Sequence, residues 1–292
     1  MRRAPPAIGF AAPALSLIAV FFAVPVAASL ALSLTDFDIY SIADARNLRF
    51  VGLDNYARLL RDPLFWVALA NTCYFVAVGG SLSIAVSLAA ALAVHARLAR
   101  CKGVFRTLFF LPVVTTLVAV AVVWRTLYHP RVGLLNGALA ALGLPPLDWL
   151  GDSRLAMPAL ILMAVWKNFG FNMVIFVAGL QAIPERLYEA ARVDGAGAAA
   201  QLRHVTLPAL GPTLLFVALS TAIGYFQLFA EPYVMTGGGP SDHTLSVVLL
   251  MYREGFRWWN MGYASAVAFV LFAIILLATG LQWRLRAREG GA

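Results

Sequence analysis

Apolar residues in this chain come in long blocks, with polar residues collected between them. The blocks fill about 8–34, 68–94, 105–128, 157–180, 212–235 and 264–284. Each matches or exceeds the roughly 20 residues that cross the hydrocarbon core of a bilayer. Backbone amides in lipid must be bonded internally, so each block is expected to be a helix. The pattern predicts an all-α, polytopic membrane protein with six transmembrane helices in a single transmembrane domain covering 1–292. Pro13, Pro25, Pro112, Pro158 and Pro232 fall inside or at the ends of the blocks and predict kinks or broken ends. Pro232 is expected to break its helix near the outer surface. The first block is far longer than a signal-peptide core of about 7–15 residues, so it reads as a retained span.

The stretch between the first two blocks, about 35–67, is the longest loop on its side. Within it, VGLDNYARLLRDPLFW carries Tyr56, Leu59, Leu60 and Leu64 at helical spacing. This predicts a short amphipathic helix lying in the outer interface, with Phe65 and Trp66 as anchors.

Composition agrees with the block pattern. Hydrophobic residues make up 61% of the chain and charged residues 12%, against about 25% charged in a soluble domain. The net charge of +8 sits beside apolar blocks, which favours a membrane over nucleic acid as partner. One set of loops and ends holds Arg2, Arg3, Arg97, Arg100, Lys102, Arg106, Arg186, Arg192, Arg203, Arg284, Arg286 and Arg288. The opposite set is richer in acid: Asp36, Asp38, Asp44, Asp54, Asp62, Asp148, Asp152, Asp242 and Glu254. The positive-inside rule then puts both termini in the cytoplasm. Cys73 in an apolar block and Cys101 in a basic loop are not expected to pair. There is no phosphate-binding loop, HExxH, CxxC pair or GxSxG in the chain. Transport against a gradient would therefore draw its energy from another chain or from an ion gradient.

Polar residues inside the blocks are the candidates for a transport path, because such groups are costly in a membrane and usually functional. WKNFGFNM in the fourth block offers Lys167, Asn168 and Asn172, with the two asparagines four apart on one helix face. STAIGYFQLFAEPY in the fifth offers Thr221 and Tyr225, also four apart, then Gln227 and Glu231. Asn168 with Asn172 reads equally as interhelical glue, and Thr221 as a group bonded to its own helix. Lys167 must find water or a partner.

The segment 181–211 is polar, rich in alanine and glycine, and lies between two apolar blocks. Pro184 can open a helix because it has no amide to leave unbonded. Glu185 and Glu189 then complement the helix dipole. Asp194-Gly195 signals a turn, and a second helix runs from there until Pro208 and Pro212. The expected helix–turn–helix is too small to be stable alone and calls for a covering partner.

Its residues EAARVDGAGAAAQLRHVTLP carry a resemblance. Glu189, Ala190, Ala191, Asp194, Gly195, Ala196, Leu207 and Pro208 match the EAA loop of membrane permease subunits of binding-protein-dependent ATP-binding-cassette importers. VGLDNYARLLRDPLFW, FFLP at 109–112, AGLQAIPERLYEAA, TGGGP at 236–240 with Thr244, and GYASA at 262–266 resemble the carbohydrate branch of that family. Ala200 and Leu202 depart from it, standing where many relatives carry bulky aromatics.

The resemblance implies the type I importer permease fold and no catalysis by this chain. It implies that the eight matched residues couple to a homodimeric cytoplasmic ATPase, and that ATP and Mg are bound there and no cofactor here. It also implies a related second permease subunit, an extracytoplasmic sugar-binding protein, and a multi-pass place in a bacterial or archaeal inner membrane. No nucleic acid is implied. The alternatives are a permease of the same architecture for a polyamine or a phosphorylated polyol, which Lys167 would suit, and an ion-coupled secondary transporter. The last would need coupling carboxylates and inverted repeats. Glu231 is the one candidate carboxylate, and no repeat is evident.

Overall fold

A computed structural model describes residues 6–95 and 102–289. Arg2, Arg3, Arg97, Arg100 and Cys101 lie outside the described residues. Among those described, the elements are helices, and the extended contact is an isolated bridge between Thr35 and Phe50. Five helices are long and apolar enough to cross a membrane: Ala11–Ser33, Pro63–His95, Ala156–Gln181, Gly211–Met235 and Met261–Arg284. The bent pair Lys102–Val114 and Leu117–Leu127 makes a sixth candidate if it counts as one broken span.

The chain gathers into two compact units. The first holds residues 1–66 and 250–273. Its leading helix runs as Pro6–Ile18, a wider π turn at Ala19–Ala23, and Val24–Ser33. Pro25 lacks an amide, and its ring would crowd the carbonyl four residues back. The wide turn just ahead of it accommodates both, so the rod continues. The expected amphipathic helix forms over Asp54–Arg61, with Leu59 fully buried and Leu60 exposed. Asn55 holds it by donating from Nδ2 to the carbonyls of Ser33 and Thr35 at 2.9 and 2.8 Å. Arg58 stacks 4.3 Å over the Tyr263 ring, and the Tyr263 hydroxyl donates to Asp62 at 2.8 Å. Asp62 also accepts from the Leu64 amide at 2.9 Å. With Pro63 opening the next helix, Asp62 acts as its cap. The expected anchor pair is corrected here. Trp66 is exposed, but Phe65 is only 1% exposed and meets Trp66 edge to face.

The second unit holds residues 67–249 and 274–292. Its centre is Ala156–Gln181, which is apolar nearly all round, as an interior helix must be. Ser81–His95, Lys102–Val114 and Gly211–Phe226 pack on it. Small residues allow the closest approaches. A Cβ on Gly170 would overlap the Phe109 carbonyl oxygen, and one on Gly179 would lie 2.7 Å from Thr213 Oγ1. Two apolar clusters result. One gathers Met157–Val165 positions with Phe75, Val120, Tyr128 and Tyr225. The other gathers Met173, Phe176, Val177 and Leu180 with Ala91, Leu210 and Val217. Asn168 and Asn172 fall on the helix between these two clusters.

Two expected spans are not continuous. The block 105–128 divides into helices Lys102–Val114 and Leu117–Leu127, bent by 98°. Pro112 removes an amide from the last turn of the first piece, and Thr116 takes an extended conformation at φ −64°, ψ 138°. The block 212–235 is helical over Gly211–Phe226 and again over Ala230–Met235. The break thus precedes Pro232, which lies in the opening turn of the second piece, where its missing amide costs nothing. The last helix, expected over 264–284, runs further, from Met261 to Glu289.

Candidate functional site: a cavity between helices and an exposed helix pair

The two broken helices and Ala156–Gln181 border one cavity of about 390 Å³. Asn168, Asn172, Ser220, Thr221, Gln227 and Glu231 give it polar atoms, and Phe75, Phe171, Tyr225 and Phe229 give it rings. Of the residues that polarity and spacing select, Asn168, Asn172, Thr221, Tyr225 and Gln227 all come to this wall. Asn172 Nδ2 donates to Thr221 Oγ1 at 3.0 Å in a buried bond between two helices. Removing each partner singly and then both, with Asn172→Leu and Thr221→Val, should give a coupling of about 0.6 kcal/mol in detergent-state thermal unfolding, typical of bonds between membrane helices. A coupling near zero would mean that the two side chains do not meet.

Tyr225 is buried against Phe75, with ring centroids 5.0 Å apart. Its hydroxyl lies beside Ser83 and Asn168. Neither the Tyr225 nor the Ser83 hydroxyl reaches hydrogen-bond geometry with a partner in the chain. Leaving a buried hydroxyl unbonded costs about 1–3 kcal/mol, a cost that functional cavities often carry.

Lys167 is placed differently from the other polar residues of its helix. It is 7% exposed and does not line the cavity. Its Nζ donates to the Val113 carbonyl at 3.0 Å. In an unbroken helix that carbonyl would accept from the amide of Leu117, which instead begins the next helix. Lys167 therefore satisfies the backbone group that the 98° break releases. Glu231 is 7% exposed and does line the cavity, whereas sequence pattern alone sets it near a surface break. Ser220, Phe75, Phe171 and Phe229 escape sequence reasoning, since rings inside apolar blocks give no signal and a lone serine reads as bonded to its own helix, as Ser220 is to the Phe216 carbonyl. Phe171, three residues beyond Asn168 on the same helix face, is the one that spacing could have found.

The second candidate is the segment 181–211. Helix Glu185–Val193 starts from Pro184 and ends at Asp194, and Gly195 comes next at φ +78°, the left-handed turn that favours glycine. Helical turns continue through Ala198–Gln201, Leu202–Thr206 and Leu207–Ala209. Tyr188 and Thr206 join the two arms through their hydroxyls at 3.0 Å, and Gln201 Nε2 donates to the Ala196 carbonyl at 2.7 Å. Arg192 pairs with Glu185 at 3.2 Å. Helix Glu185–Val193 has no buried residue, and Val193 is 88% exposed. Glu189, Ala190, Asp194, Gly195, Leu207 and Pro208 are exposed, while Ala191 and Ala196 are half-buried. The pair is thus internally tied, yet its first helix presents apolar and acidic groups outward together.

Comparison with known proteins decides the family. Residues 8–289 match the binding-protein-dependent transport system inner membrane component family. The chain belongs to that family. It is a multi-pass permease subunit of the inner membrane. It is 35% identical to the probable ABC transporter permease protein YurN of Bacillus subtilis, with 94% of each chain covered. It is 36% identical to the lactose transport system permease protein LacF of Rhizobium radiobacter, over 94% of this chain and 91% of that one. In fold it resembles a chain of a bacterial alginate ABC transporter, solved with its alginate pentasaccharide-bound periplasmic protein. The TM-score there is 0.82 at 20% identity, covering 96% of this permease and 93% of that chain. The expected importer permease fold is therefore the one observed, with five or six candidate spans.

Proposed function

We propose that this permease is one of two related membrane subunits of an ATP-driven sugar importer. The likeness to LacF over nearly the whole chain carries the sugar reading. The cavity is consistent with it, since amides, hydroxyls and aromatic rings are the groups that hold a polyhydroxyl solute. Both termini and the 181–211 helix pair face the cytoplasm, in keeping with the distribution of basic residues. Glu189, Ala190, Ala191, Asp194, Gly195, Ala196, Leu207 and Pro208 meet a homodimeric ATPase, which holds ATP and Mg. An extracytoplasmic sugar-binding protein docks on the opposite face, near 35–67 and 237–261. Closing of the ATPase around ATP shifts the spans from inward-facing to outward-facing, a coupling between two distant sites. Solute then passes along Asn168, Asn172, Thr221, Tyr225 and Gln227.

The test is uptake by the complete complex in proteoliposomes, assembled with its second permease subunit, ATPase and binding protein. Uptake of a labelled neutral disaccharide should require enclosed ATP and the loaded binding protein, and should persist in a proton ionophore. Uptake without ATP that the ionophore abolishes would replace this reading with an ion-coupled one.

A further inference from the structure

We propose that Trp66, Trp258 and Trp259 form a collar that sits in the headgroup layer of the membrane and holds helix Asp54–Arg61 at its surface. The partner is a phospholipid surface. The collar takes the place of the expected Phe65 anchor, which the fold buries. Two spans begin at one level there. Pro63 opens one crossing helix and Met261 opens another. Asp62, just ahead of the first, accepts from the Tyr263 hydroxyl at 2.8 Å, so the two starts are bonded side by side. Trp66 lies in the first turn of one span, and its Nε1 donates to the Leu60 carbonyl at 2.9 Å. That bond turns the ring back from the span toward the level of the Asp62–Tyr263 contact. Trp258 and Trp259 lie just ahead of the other span.

All three tryptophans are exposed, and Phe256, Arg257, Trp258 and Trp259 are exposed in succession. Trp259 takes φ +60°, a left-handed conformation that strains a bulky side chain. Its neighbours enforce it. The Asn260 amide donates to the Glu254 carbonyl at 2.8 Å, Asn260 Nδ2 donates to the Glu254 carboxylate at 2.9 Å, and the Trp258 amide donates to the Arg253 carbonyl at 2.9 Å. Strain of this kind persists where the surroundings over-determine it, and here it leaves Trp259 exposed beside Trp258. An indole is apolar in its body and carries one N–H that needs an acceptor, so it partitions to the boundary between chains and headgroups. The charge around the collar fits phosphate. Arg58 and Arg61 on helix Asp54–Arg61, and Arg257 beside the tryptophans, are exposed, against the exposed Asp54. The collar uses only the parts of 35–67 and 237–261 nearest the spans and leaves the rest of both segments to a binding protein.

The test is tryptophan quenching in the full complex of both permease subunits and the ATPase, held in nanodiscs without the binding protein. The disc lipid is phosphatidylcholine brominated either near the glycerol end of its chains or near their methyl end. Trp258→Phe and Trp259→Phe, made singly and together, keep a ring at each position, and the emission each removes gives the share of that residue. Those shares should be quenched about twofold more by the shallow bromines than by the deep ones, as an interfacial ring would be. Trp66→Phe should remove a share with the same preference. Trp149→Phe is the control, because Trp149 is half-buried and bonded to Asn136 at 3.0 Å, and its share should answer to neither lipid. Shares of Trp258 and Trp259 that neither lipid quenches would mean that water or protein covers the collar, and would overturn the proposal. Quenching as strong from the deep bromines would put the rings among the chains and overturn it too. Quenching that vanishes when binding protein is added would assign the surface to that protein instead. No solute enters the experiment, so its outcome is separate from that of the sugar reading.

Discussion

Gly170→Ala should cost the permease about 3 kcal/mol, the upper end for forcing an extra methyl into a packed interior. Most such insertions are relieved when a flexible side chain swings away. Here the obstacle is backbone, since the new Cβ would overlap the Phe109 carbonyl oxygen and lie 3.1 Å from the Phe110 Cα. Helix Lys102–Val114 would have to leave Ala156–Gln181 as a body. That would carry Val113 away from Lys167 and open one wall of the cavity. The expected result is a melting temperature several degrees lower by fluorescence-detected size exclusion, with uptake reduced in parallel. Gly103→Ala is the control, because a Cβ there meets nothing within 4 Å. It should be neutral or slightly stabilising, as a helical Gly-to-Ala change usually is. A Gly170→Ala protein that melts with the parent would show that the two helices do not approach so closely.

Glu189→Lys is expected to act in the opposite manner, abolishing function and sparing the fold. Glu189 is exposed on a helix with no buried residue, so reversing its charge disturbs no packing. If the helix enters a cleft on the ATPase, a reversed charge at its centre should weaken the contact by about 2 kcal/mol or more, the scale of an interface hot spot. That corresponds to roughly a thirtyfold loss of affinity. ATP-dependent uptake and the stimulation of ATP hydrolysis by loaded binding protein should both collapse. Membrane abundance and melting temperature should stay at the parent level. Normal uptake in this variant would remove the docking role from the segment. The two substitutions therefore separate a residue that builds the cavity from one proposed to couple it to the ATPase.

How much can be read without the fold differs between these two places. The helix pair at 185–209 is legible because its signals are local. Pro184 begins a helix, Asp194-Gly195 turns the chain, and neither depends on distant residues. The cavity is half legible. Asn168 with Asn172, and Thr221 with Tyr225, announce themselves by polarity and by a spacing of four. Phe75 cannot, because a ring in an apolar block looks the same whether it faces lipid, core or solute, and Phe171 is reached only through its spacing of three from Asn168. Lys167 is conspicuous for its charge, yet its location depends on a carbonyl 54 residues away in sequence.

Solvent and local geometry are therefore written into the order of the residues. Long apolar blocks must be helices in lipid, because no other continuous segment bonds all its own amides there. Short-range capping and turn residues then shape the exposed segment between the fourth and fifth blocks. Where the helices break, and what the breaks do, depends on three-dimensional packing. Pro112 permits a bend, but the 98° angle stands with Lys167 bonding the freed Val113 carbonyl. Pro232 is expected to end a helix and instead lies near the start of one. Both outcomes turn on backbone groups that must find partners away from water. Those partners, Lys167 for the Val113 carbonyl and Ser246 for the Leu228 carbonyl, lie far along the chain, where no local pattern can reveal them.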